Sequence, residues 1–110
     1  MPFDGHLDVA VGDAGVEFAL TVRNAGGAPV ELEYPQGNAV DVAVYEDGVE
    51  VWRWSDGRMF AQAVRTERLA PDESVVYERR WEDPPPGRYV AEASLEARTV
   101  TLVEREPFEV

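Results

Sequence analysis

Apolar and polar residues alternate along most of this chain. Leu7, Val9 and Val11 are separated by Asp8 and Ala10, and Val16, Phe18, Leu20 and Val22 by Glu17, Ala19 and Thr21. Val30, Leu32 and Tyr34 alternate with Glu31 and Glu33, and Tyr89, Ala91, Ala93 and Leu95 with Val90, Glu92 and Ser94. Successive side chains of a strand point to opposite faces, so each run predicts a half-buried strand. No window carries a helical apolar stripe of useful length. Turn-forming clusters separate the runs: Gly12-Asp13-Ala14-Gly15, Asn24 to Pro29, Tyr34 to Asn38, Glu46-Asp47-Gly48, Ser55-Asp56-Gly57, Pro71-Asp72-Glu73 and Pro84-Pro85-Pro86-Gly87. Strands are therefore expected over 6–12, 16–24, 30–34, 40–46, 49–54, 62–69, 74–82, 88–96 and 99–108, with fraying after Glu104. Short strands with regular turns predict an all-β fold, a β-sandwich of two antiparallel sheets.

The hairpin around Asp47-Gly48 admits two registers. A two-residue turn sets Val42 opposite Arg53 and Asp41 opposite Trp54, mixing charges into apolar pairs. A three-residue loop, Glu46-Asp47-Gly48, sets Val42 opposite Trp52, Val40 opposite Trp54 and Asp41 opposite Arg53. Cross-strand pairs each contribute a few tenths to about 1 kcal/mol, so the three-residue loop is the predicted one.

Composition narrows the function. The 110 residues form one domain, 1–110, and 45% of them are hydrophobic, enough for a core. There is no cysteine, which excludes disulfides, thiolate metal sites and cysteine nucleophiles. The formal charge is −12, which argues against nucleic acid or an anionic membrane as partner. All ten bases are arginine, and an acidic surface without lysine suggests adaptation to molar salt. The N-terminal MPFDGHLD has acids where a signal peptide carries bases, and no apolar run is long enough to span a bilayer; the expected location is the cytoplasm.

Enzyme chemistry finds little footing. The only histidine, His6, reads as a solvated strand-edge residue, and Ser55, Ser74 and Ser94 lie in no nucleophile elbow. Metal and phosphate motifs are absent, so no catalytic residues, no metal site and no cofactor are expected. The distinctive segment is Val51-Trp52-Arg53-Trp54-Ser55-Asp56-Gly57-Arg58-Met59-Phe60, with two of the three tryptophans in ten residues. It reads either as aromatics capping one end of the core or as an exposed aromatic-basic loop that docks a partner. Trp52 inward and Arg58 to Phe60 outward would satisfy both. Pro84 to Gly87 is stiff, a strand connector or a preformed segment.

Several blocks together resemble one family. Thr21-Val22-Arg23-Asn24, Val30-Glu31-Leu32-Glu33-Tyr34-Pro35, Asp41-Val42-Ala43-Val44-Tyr45 and Val51 to Gln62 look like the intracellular proteinase inhibitor (BsuPI) domain. Leu69-Ala70-Pro71-Asp72-Glu73-Ser74, Trp81 and Pro86-Gly87-Arg88-Tyr89 match its later blocks. The Trp-x-Trp-Ser-Asp-Gly-x-x-Phe block is the most specific, and the match runs from about residue 16 to about residue 96. One position departs: Asp72 stands where the family usually has Gly before the Glu-Ser pair. The resemblance implies an immunoglobulin-like sandwich of about 8–9 strands and inhibition of an intracellular subtilisin-like serine protease. The expected protein is a non-enzymatic monomer, a halophilic member of that family, whose partner is a protein. Its partner-binding loop is Trp54, Ser55, Asp56, Gly57, Arg58, Met59 and Phe60. Arg58 or Met59 would fill the protease's main pocket, with Met59 favoured because subtilisin-like pockets prefer apolar groups. The alternative is a general interaction or accessory module with no protease target.

Overall fold

The computed structural model describes residues 3–110. It contains nine strands: β1 (Phe3–Val11), β2 (Gly15–Asn24), β3 (Val30–Tyr34), β4 (Val40–Glu46), β5 (Val49–Arg53), β6 (Arg65–Leu69), β7 (Ser74–Glu82), β8 (Arg88–Leu95) and β9 (Val103–Glu109). All pairings are antiparallel. The strands make a sheet β1-β2-β7, a sheet β5-β4-β8-β9 and a two-stranded ribbon β3-β6. The first two face each other as the expected sandwich; the ribbon shares a strand ladder with neither, and side-chain hydrogen bonds tie it to the first sheet, Tyr34 Oη with Tyr77 Oη at 2.8 Å and Asn24 Nδ2 donating to Leu69 O at 3.1 Å.

Alternation places the core. Val16, Phe18, Leu20 and Val22 of β2 are buried, as are Val40, Val42 and Val44 of β4 and Tyr89, Ala91, Ala93 and Leu95 of β8. Aromatic rings bridge the two sheets. Trp52 stacks on Phe18 and on Trp81 at 6.0 and 5.4 Å, and Phe108 meets Phe18 and Tyr89 at 5.7 and 5.5 Å. Stacked and edge-to-face pairs of this kind add to the stabilisation that burial alone supplies.

The C-terminal segment does not fray. β9 pairs with β8 from Ser94↔Val103 to Arg88↔Glu109, and Val110 exchanges backbone hydrogen bonds with Gly87. Phe108 reaches the core, and Arg105 binds Glu92 across the strands at 2.8 Å. Strand β6 starts at Arg65, so residues 58–64 form an irregular, mostly exposed connection. The Pro84 to Gly87 segment is the β7–β8 connector, held by Tyr89 Oη donating to Pro85 O at 2.7 Å.

The β4–β5 hairpin corrects the predicted register. Glu46 pairs with Val49, so the loop is the two-residue Asp47-Gly48 turn. Both residues have positive φ, 51° and 81°, as a turn matched to strand twist demands. Val51 then bulges out: Tyr45 pairs with Glu50, but Val44 with Trp52 and Ala43 with Arg53. The bulge restores the phase that the short turn would have lost. Trp52 and Trp54 therefore share the face of Val42 and Val44, two residues along from the predicted pairing.

Two turns meet at Asn24, whose side chain is fully buried. Its Nδ2 donates to Ala28 O and Leu69 O at 2.9 and 3.1 Å, and its Oδ1 accepts from Gly26 N. Asp72 N–H donates to Asn24 O at 2.8 Å, and Asp72 has φ of 66°. The left-handed conformation that the family's usual Gly would take is thus adopted here by Asp72.

Candidate functional site

Strand β5 leads directly into the segment Trp54 to Phe60, and its base rests on Asp41. This aspartate is buried in β4, only 5% exposed. Its Oδ1 accepts from Val42 N at 2.9 Å and Ser55 N at 3.1 Å; its Oδ2 accepts from Ser55 Oγ at 2.6 Å and from Arg53 Nη1 at 3.0 Å. Arg53 also reaches Glu50 at 2.6 Å, and Glu50 and Asp41 together hold its guanidinium well above its ordinary pKa. A buried carboxylate with this many donors is satisfied, so it orders the chain around it rather than costing stability.

The turn beyond Ser55 is built by backbone bonds. Asp56 N–H donates to Arg53 O at 3.2 Å and Arg58 N–H to Ser55 O at 3.1 Å. Gly57 has φ of 75°, a conformation that costs a side chain roughly 1–2 kcal/mol.

Trp54 is the hub of the segment. Its N–H donates to Val42 O at 2.9 Å, which fixes it to β4. Its half-buried ring has Phe60 at 5.8 Å, and the guanidinium groups of Arg58 and Arg79 lie over it at 4.3 and 4.1 Å. Arg79 sits on the inner face of β7, in phase with Tyr77 and Trp81. It crosses between the sheets to donate from Nε to Val40 O at 3.1 Å. Burial pushes Arg79 below its ordinary pKa; the Arg58 charge acts in the same direction and Asp41 opposes it. Among the described residues, neither Arg58 nor Arg79 makes an ion pair, whereas seven of the ten arginines do.

The expected loop residues thus divide. Trp54, Ser55 and Phe60 are half-buried and hold the segment; Asp56, Gly57 and Arg58 are exposed at the turn; Met59 projects, 98% exposed. Downstream, Ala61 O accepts from Gly37 N–H at 2.8 Å, tying the segment to the β3–β4 loop. Sequence reasoning paired Asp41 with Arg53 through a different register, and it missed Arg79 and the Gly37–Ala61 tie. The placement of Arg79 on an otherwise aromatic face of β7 was the available signal; nothing local marks Gly37.

Elsewhere, His6 is exposed on β1 and its ring contacts Asp8 at 2.9 Å. Among the described residues, no group of three or more His, Asp or Glu is arranged to hold a metal ion, and no helix is long and apolar enough to cross a membrane. An open groove of about 860 Å³ runs beside β8 and β9, lined by Tyr45, Val90, Pro107 and Phe108. Its arginines are neutralised within the chain, Arg88 by Glu109 at 3.6 Å and Arg105 by Glu92 at 2.8 Å.

The sequence model of a family described as "BsuPI: Intracellular proteinase inhibitor" matches residues 3–100. Among solved structures, the chain is similar to the CARDB domain of a Pyrococcus furiosus protein, crystallised in complex with di-metal ions. The TM-score is 0.52 at 19% identity, over 98% of this chain and 91% of that one. At that identity the likeness is one of fold, the immunoglobulin-like sandwich. No curated protein matches.

Proposed function

This chain belongs to the intracellular proteinase inhibitor (BsuPI) family, and from that premise we propose that it is a non-enzymatic cytoplasmic protein that inhibits a subtilisin-like serine protease. The contacting segment is Trp54 to Phe60. The observation that carries the reading is the contrast within it: Met59 is 98% exposed between neighbours that are held in place. A large apolar side chain so presented loses exposed area when a partner pocket covers it. Because Asp41, Trp54 and the Gly57 turn already order the backbone, the ordering cost of binding is reduced, which is how compact inhibitor interfaces become tight.

Of the two candidates for the main pocket, Met59 is the better. Arg58 is occupied: its Nε donates to Trp54 O at 2.7 Å and its guanidinium covers the indole. Arg58 and Arg79 instead supply a positive patch next to Met59, suited to a partner with a carboxylate beside an apolar pocket.

The test is inhibition of purified subtilisin-type proteases by the monomeric protein. Micromolar protein is expected to suppress at least one of them. Unchanged activity across the set, with a non-protease complex recovered on the immobilised protein, replaces this reading with the accessory-module one.

A further inference from the structure

Met59 is flanked by two residues that grip the same side chain. On its N-terminal side, Arg58 is bonded to Ser55 O and Trp54 O, and its guanidinium lies over the Trp54 ring at 4.3 Å. On its C-terminal side, Phe60 packs on that ring at 5.8 Å, and the next residue, Ala61, is bonded to Gly37 at 2.8 Å. Met59 itself contributes nothing to the hold. The bond between Met59 and Phe60 therefore lies across a clamp, with each side fastened independently of the bond.

The fold extends this fastening to the whole molecule. A cut after Met59 divides the chain into a part carrying β1 to β5 and a part carrying β6 to β9. The ladders β2–β7, β3–β6 and β4–β8 each join one part to the other. Severing one bond in the irregular connection between β5 and β6 breaks none of these ladders.

Resting on the inhibitor reading, we propose that Met59–Phe60 is the bond presented to the protease, and that inhibition works because the clamp lets the enzyme rejoin what it cuts. The protease serine hydroxyl adds to the Met59 carbonyl carbon, and the Met59–Phe60 carbon–nitrogen bond breaks. The Phe60 nitrogen leaves as an amine, taking up the proton given up by the serine. The Met59 acyl group is then on the serine. Water can attack it, leaving a Met59 carboxylate and the free enzyme. The Phe60 amine can also attack it, restoring the peptide bond and returning the proton to the serine. In an ordinary substrate the amine diffuses away. Here the packing of Phe60 on Trp54 and the Ala61–Gly37 hydrogen bond keep it beside the acyl carbon. A well-oriented internal nucleophile reaches effective concentrations on the order of 10⁵ M or more, which outcompetes water.

The experiment incubates the full chain with a catalytic amount of a subtilisin-type protease of apolar specificity, followed by intact mass and N-terminal sequencing. The expected product has gained one water, begins a new N-terminus at Phe60 and stays in one folded particle. Cutting stops at a constant ratio of intact to nicked protein, and isolated nicked protein returns to that ratio when enzyme is added. Trp54→Phe keeps this behaviour. Trp54→Ala is cut to completion, at least about tenfold faster, and stops inhibiting as it is cut. If Trp54→Ala is not folded by circular dichroism, Phe60→Ala, which loosens only the C-terminal side, is expected to be cut to completion in its place. Inhibition without a cut at Phe60, or a cut that runs to completion in the natural protein, overturns the clamp while leaving the inhibitor standing. Absence of inhibition by fresh intact protein overturns the inhibitor reading itself.

Discussion

Ser55 donates its hydroxyl to the buried carboxylate of Asp41 at 2.6 Å, and its backbone N–H binds the other oxygen of the same group at 3.1 Å. A single β4 side chain thus sets where β5 ends and the projecting turn begins. Asp41→Ala leaves the Ser55 N–H, the Ser55 hydroxyl and one face of Arg53 unpartnered. The expected loss is about 2–4 kcal/mol in a denaturant titration. Ser55→Ala removes one donor and leaves a charge-assisted network otherwise intact, so it is expected to cost about 1 kcal/mol. Equal losses for the two variants would mean that Asp41 does not organise the segment.

Met59 allows function to be separated from folding. Its side chain is 98% exposed, so Met59→Glu is expected to shift stability by no more than about 0.5 kcal/mol. The same change places a charge in an apolar pocket and is expected to weaken inhibition by at least about a hundredfold, roughly 2.7 kcal/mol. Thermal melts and inhibition titrations of the two proteins, side by side, check both halves. Undiminished inhibition would move the contact away from Met59.

The ranges of β2, β4 and β8 are legible because each buries at least one full face, whereas β1, β6 and β9 begin three or four residues from the expected positions. Three features are not legible. Two hairpin registers offset by two residues put the same side chains on the same faces, so pairing preferences cannot choose between a three-residue loop and a short turn followed by the Val51 bulge. The C-terminal strand carries Glu104, Arg105, Glu106 and Pro107, which read as a fraying edge, yet Phe108 anchors it between Phe18 and Tyr89. Arg79 interrupts an apolar face in the sequence. In space its length carries the charge out of the core to Val40 O and over Trp54, so an in-phase arginine serves as the lid of an aromatic cluster. The Trp-x-Trp-Ser-Asp-Gly block marks the segment, but which of its residues hold and which project depends on Asp41, Gly37 and Arg79, all distant in sequence.

Asp72 holds a left-handed turn, with φ of 66°, and its carboxylate accepts from Arg23 at 2.8 Å. Asp tolerates this conformation better than most residues, and the exposed ion pair is worth little. Asp72→Gly is therefore expected to be neutral to slightly stabilising. Asp72→Ala loses the ion pair and keeps a Cβ in the left-handed region, for an expected loss of about 1–2 kcal/mol. The contrast between the two melting temperatures is the measurement; an alanine variant as stable as the glycine one would remove backbone conformation as the cause.

Glu96 gives stability an unusual pH dependence. Burial raises its pKa above the ordinary carboxylate value, and the nearby Asp41 charge adds to the rise; Ser94 and Arg53 act against it. The folded protein then holds this proton at a pH where the unfolded chain has lost it. Its contribution to stability is fully present below the ordinary carboxylate range and is lost as pH rises through the raised value. Glu96→Gln removes the ionisation. The variant is expected to be more stable than the natural protein at neutral pH, with the advantage shrinking as pH falls through the raised value and gone below the usual glutamate range. Denaturant midpoints across mildly acidic pH test this, and an advantage that is independent of pH would show that ionisation is not its source.

The charge balance makes opposite demands on salt. Among the described residues, seven arginines are engaged in ion pairs, most of them exposed, and an exposed pair is worth at most about 1 kcal/mol. Against this stand 22 acids and 10 bases, an excess of 12 negative charges that repel across a small surface. Salt weakens both, since the screening length falls from about 10 Å at 0.1 M to about 3 Å at 1 M. The surplus exceeds the number of pairs, so relief of repulsion outweighs the loss of weak surface bridges. We propose that the protein is adapted to concentrated salt. Its denaturation midpoint is expected to rise steadily in potassium chloride from about 0.1 M to about 1 M and to continue upward beyond. A midpoint that is flat or falls over that range would mean that the carboxylates keep the protein soluble without being matched to salt.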